Sequence, residues 1–114
     1  MVVIMGANFE ILFLEVAKAF LMAVDNKART KILYNMDKSR YSKDPELFKK
    51  VSDYIWEFRT EYGGLQYRML AFWDKRNKSN TLVIASHGII KKKDKLPSKE
   101  INKAERLRKE YFNI

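Results

Sequence analysis

The sequence holds 114 residues, enough for one domain with a moderate core and too few for two. Hydrophobic residues at 46% and aromatic residues at 13% exclude a disordered chain, while 23 Lys and Arg against 14 Asp and Glu, a net +9, call for a polyanionic partner: nucleic acid, an acidic membrane surface or an acidic protein. No cysteine excludes disulfides and thiol nucleophiles, and a single histidine, His87, excludes a two-histidine metal site, so neither metal nor cofactor is expected.

The apolar start MVVIMGANFEILFLEVAKAFLMAV has no basic residue before it and is broken by Asn8, Glu10, Glu15 and Lys18, which does not fit a signal peptide. No apolar run reaches the roughly 18 to 20 residues of a membrane span. A cytoplasmic protein without membrane contact is expected. Phe9 to Leu14 reads as a strand, and from Glu15 the period changes: Ala17, Phe20, Leu21 and Val24 recur at helical spacing until Asp25-Asn26. A second helix carries Ala28, Ile32, Leu33 and Met36 on one face, and Asp37 to Lys43 reads as a loop.

Asp44-Pro45 has the form of N-cap and first turn of a short helix reaching Ser52. Three strands follow, Tyr54 to Tyr62, Leu65 to Asp74 and Thr81 to Ile90, joined at Gly63-Gly64 and at Lys75 to Asn80 as antiparallel hairpins. A last amphipathic helix begins at Pro97-Ser98, with Ile101, Ala104, Leu107 and Tyr111 on its apolar side. The order gives an α+β fold, one domain spanning residues 1–114.

On the first long strand a period of two sends Trp56 and Phe58 to a core face and Glu57 and Arg59 to a charged one. Arg68 lies on the hairpin partner, so the two arginines converge if the register puts them on one face; otherwise they only solvate an edge or pair with neighbouring acids. Trp56, Phe72 and Trp73 read as core, and Tyr67 stays open between core and a platform for a base. From Lys91 to Ile114, seven Lys and two Arg face one Asp and three Glu, a net +5. Crowded lysines beside arginines repel one another, which favours a neutral amine able to take a proton from a ribose 2′-hydroxyl. The arginines would then stabilise the charge that builds on phosphorus. His87 is either an acid or base in that scheme or a core histidine, and Gly88 is read as a bulge before the lysines.

IWEFR, QYRMLAFW, LVIASHGIIKKK and LPSKEINKAERLRKEY, in that order, resemble the phage-derived, HigB-like branch of the RelE toxin superfamily. FEILFLEVAKAFL and KARTKILYNM resemble that family's first strand and helical hairpin. The resemblance implies a small twisted, mainly antiparallel sheet and a metal-independent endoribonuclease that cuts mRNA on the ribosome. It implies catalytic roles for Arg59, Arg68, Lys91, Lys92 and His87, and RNA binding by Tyr67, Lys93 and Lys95. Glu57 stands where some relatives carry a second basic residue, and Tyr111 does not match their C-terminal catalytic tyrosine. A helix-turn-helix antitoxin is the implied partner, beside ribosome and mRNA. Two other functions share the fold or the charge: a ParE-like inhibitor of DNA gyrase and a nucleic-acid-binding protein without chemistry. Arg68→Ala is expected to abolish toxicity and leave the fold intact.

Overall fold

A computed structural model describes residues 6–78, 81–92 and 95–114. Its elements are β1 (Glu10–Phe13), α1 (Glu15–Ala23), α2 (Asn26–Ser39), β2 (Phe48–Lys50), β3 (Trp56–Tyr62), β4 (Leu65–Asp74), β5 (Leu82–Lys91) and α3 (Ser98–Phe112). The strands form a mixed sheet in the order β1-β5-β4-β3-β2. β1 runs parallel to β5 and the other pairs are antiparallel, so the α+β expectation holds.

Helix signals were locally explicit. The Asp25 carboxylate accepts from the amides of Lys27 and Ala28 at 3.0 and 3.2 Å, satisfying donors at the start of α2. Arg29 reaches back to the end of α1, its Nε donating to the Leu21 carbonyl at 2.7 Å. The loop expected from Asp37 begins later, because α2 continues to Ser39, whose buried hydroxyl donates to the Met36 carbonyl. Arg40 then pairs with Asp37 and with Glu10.

The helix expected over Asp44–Ser52 is corrected to a single turn and a three-residue strand. Leu47 and Phe48 amides donate to the Asp44 carbonyl, but the chain then extends and Phe48 pairs with Phe58, their rings stacked 4.3 Å apart. Val51 and Ser52 both donate to the Ile55 carbonyl, closing the turn into β3. The aromatic stack outweighs a helix too short to sustain itself.

At Gly63-Gly64 both φ angles are positive, +60° and +77°, as a two-residue hairpin between twisted strands requires. The sheet separates two cores. Ala17, Leu21, Ala28, Ile32 and Met36 of the helical hairpin cover Phe58, Tyr67, Met69, Ala71, Val83 and Ala85 on one face. On the other, Ala104 of α3 packs with Ile55, Leu70, Phe72 and Ile84.

Candidate functional site

The α3 face of β3, β4 and β5 carries three successive cross-strand rows. Glu57 is opposite Leu70, which is opposite His87; Arg59 is opposite Arg68, which is opposite Ile89; Glu61 is opposite Gln66, which is opposite Lys91. The two arginines therefore do share a face and meet directly across the ladder. Lys91 is the diagonal neighbour of Arg68 on that face, a relation of roughly 7–8 Å in a sheet.

A bulge makes this possible. β5 pairs His87 with Leu70 but Ala85 with Ala71, so Ser86 is the extra residue. Without it, strict alternation would turn His87, Ile89 and Lys91 to the opposite face from Ile84. The buried Ser86 hydroxyl donates to the Leu70 carbonyl at 3.1 Å and holds the bulge. The expected bulge at Gly88 is thus two residues late. Gly88 answers a different demand: a Cβ there would come within 2.2 Å of the Phe20 ring, so only glycine lets α1 approach β5.

Glu57 is the residue that gives the site its electrostatics. Its buried carboxylate sets Oε1 3.5 Å from Arg68 Nε and Oε2 3.7 Å from Arg59 Nε. Those are ion-pair distances too long for hydrogen bonds, and among the described residues both Nε–H groups and Oε1 lack a hydrogen-bond partner. Arg68 is only 2% exposed. Its Nη1 donates to the Tyr67 carbonyl and its Nη2 to Gln66 Oε1, each at 3.0 Å. Burial lowers its pKa from the ordinary arginine value, with Glu57 opposing and Arg59 reinforcing the shift. Arg59 is partly exposed, anchored at 3.4 Å to the Pro45 carbonyl, with Glu46 3.8 Å away. A small hollow of about 220 Å³ opens beside both arginines, lined also by Asn35, Leu47, Thr60 and two acids, Glu46 and Glu61.

His87 is on the same face but enclosed by α3, at 1% exposure. Its Nδ1 is 3.2 Å from Ser86 Oγ and its Nε2 3.7 Å from Glu100 Oε1. Burial and then Lys103 push its pKa down, with Glu100 opposing, which favours the neutral ring. Of the two readings of His87, the core histidine is the one its surroundings match.

Beyond β5 the lysines line an open cleft of about 660 Å³, with Lys91, Lys92, Lys95 and Lys99 facing Phe20 and Glu100. Lys93 lies outside the described residues. Tyr67 is corrected: at 5% exposure it belongs to the helical-hairpin core and offers no ring face to a base. Trp56 is corrected in the other direction. It and Trp73 are only partly covered and border an aromatic hollow at β2.

The family model described as "Phage derived protein Gp49-like (DUF891)" matches residues 19–109, a span that contains every residue of this site. That family is assigned to the toxins of toxin–antitoxin systems of RelE/HigB type. No curated protein matches the chain.

Proposed function

This chain belongs to the phage-derived Gp49-like family of toxin–antitoxin toxins, and we propose that it cuts messenger RNA on the ribosome as a metal-independent endoribonuclease. The observation that supports this most is the facing pair Arg59 and Arg68, whose buried Nε–H groups stand at ion-pair distance from Glu57 but have no hydrogen-bond acceptor among the described residues. A phosphate oxygen is the acceptor that two guanidinium donors of fixed orientation suit best.

In this reading the scissile phosphate docks against Arg59, with Arg68 beneath it. Lys91, diagonal to Arg68, takes the proton of the 2′-hydroxyl. The alkoxide attacks phosphorus, the bond to the 5′-oxygen breaks, and a proton returns to that oxygen, leaving a 2′,3′-cyclic phosphate. Stabilising charge on the phosphorane is where preorganised cations contribute most. Lys92 and Lys95 bind the flanking RNA backbone in the basic cleft, and Lys93 also contributes to RNA binding. A helix-turn-helix antitoxin, acidic where it meets that cleft, neutralises the toxin by occupying it. The whole chain, residues 1–114, acts as one cytoplasmic toxin domain.

The test is induced expression in a bacterial host with mRNA 5′ ends mapped for the wild type, Arg59→Gln and Lys91→Ala. Growth arrest with new in-frame cuts, lost in both variants, is expected. Arrest without cuts would move the assignment to gyrase inhibition or to binding without chemistry.

A further inference from the structure

Across the turn at Pro45–Leu47 from the arginine pair lies a hollow of about 410 Å³ on the helical-hairpin side of β2. Its apolar lining is aromatic: Phe48 stacks on Trp56 at 4.9 Å, and Trp56 meets Trp73 edge-on at 5.7 Å. Lys43, Lys49 and Lys50 line the same hollow, and Lys75 Nζ sits 4.9 Å over the Trp73 ring. Among the described residues, no acidic side chain lines it.

We propose that this hollow is a second RNA contact, which takes one unstacked base of a single strand on its aromatic wall and the adjoining phosphates on Lys43, Lys49 and Lys50. The inference rests on the ribonuclease reading for the identity of the polymer. Three observations favour a nucleotide over a protein segment. Partly open aromatic faces suit any base, because every base has a π-face. Lysines gathered around an apolar wall match the alternation of base and phosphate in a nucleic acid. The hollow also borders the turn that flanks the arginine site: Pro45 lines it, Leu47 lines the hollow at the arginines, and the Arg59 amide donates to the Leu47 carbonyl at 2.8 Å. A strand held at Arg59 would round that turn at the edge strand β2 to place a base in the hollow.

Trp56 and Trp73 are the only tryptophans of the chain, so its tryptophan fluorescence, excited at wavelengths tyrosine does not absorb, comes from residues that line this hollow. The experiment titrates the full chain with a 2′-O-methyl hexaadenylate, which cannot be cleaved through its 2′-oxygen. Saturable quenching is expected, with affinity about tenfold weaker in Trp56→Leu, within the range for loss of one stacked base. Lys50→Gln, at an exposed position, should weaken binding less and reduce the salt slope by about one. This second variant keeps the test valid should Trp56→Leu disturb the fold. Quenching that persists in a wild type unable to cut mRNA would support the hollow and sink only the nuclease reading. Cutting that depends on Arg59 without any quenching would overturn the hollow alone. Quenching by an acidic, aromatic peptide and not by the oligonucleotide would overturn it in favour of a protein partner.

Discussion

Arg59 on β3 and Arg68 on β4 are direct cross-strand partners, and they stand together because Glu57 gives one carboxylate oxygen to each. Like charges placed opposite one another destabilise a sheet. Glu57→Gln keeps the shape and removes the compensating charge, leaving two guanidinium groups in a largely buried row. A loss of about 3 kcal/mol in urea unfolding is expected. Added sulfate should restore more stability to the variant than to the wild type, since the anion takes the place of the carboxylate. A variant as stable as the wild type and indifferent to sulfate would show that the three groups are not coupled.

Arg68→Ala is expected to unsettle the fold, contrary to the reading from sequence. Arg68 is the largest fully buried side chain, so truncation leaves a void and releases half of the Glu57 pairing. A cost of about 3 kcal/mol follows. Arg59→Gln, at a partly exposed position, should cost under about 1 kcal/mol. Chemical denaturation of both variants measures the contrast, and equal costs would contradict the burial argument.

Gly88→Ala tests the approach of α1 to β5. The new methyl group collides with the Phe20 ring, and an overpacking cost of about 1–3 kcal/mol is expected. Phe20→Leu in the same chain should recover much of it, a coupling visible in the thermal midpoints of the double-mutant cycle. Additive losses would place the strain elsewhere.

What the sequence made legible was the part set by local chemistry. The Gly-Gly hairpin, the Asp25 cap and the amphipathic last helix each follow from residues close in the chain. β2 was misread because its stability comes from Phe58 and Trp56 across the sheet, a long-range stack that overrode the Asp-Pro helix signal. The arginine pair was named but its register was open, since a hairpin turn fixes register only once its type is known. Ser86 was missed altogether. A bulge residue is marked by the ladder it interrupts, and the neighbouring glycine offered a stronger local signal for a different constraint. Glu57 was noticed as a departure from relatives, yet its place between two arginines depends on both strands.

Asp74 ties β4 to α3. Its carboxyl accepts from Arg76 Nε and Nη2 at 3.0 and 2.8 Å and from the Tyr111 hydroxyl at 2.7 Å. The Arg76 bonds, against the opposing effect of burial, hold its pKa well below the usual carboxylate range. A folded-state pKa below the unfolded value contributes stability above about pH 3.9, lost as pH falls further. Asp74→Asn should therefore be less stable than the wild type at pH 7 and lose less on acidification. Parallel acid slopes in the two proteins would contradict this.

His87 gives the opposite end of the pH argument. Its folded pKa lies below the ordinary 6.5, chiefly through burial, so the unfolded chain takes up the proton first and stability falls as pH drops below that value. The slope cannot exceed about 1.4 kcal/mol per pH unit for one group. Urea midpoints at pH 7.5 and 5.5 should separate in the wild type and draw together in His87→Gln. A wild type that gains stability on acidification would mean that the 3.7 Å approach to Glu100 outweighs burial. Because the ring is enclosed under α3, His87→Gln should also retain cutting at pH 7.5 once it is folded. Loss of cutting by a fully folded His87→Gln would return this histidine to the proton transfer, with Nε2 reached by a displacement of α3.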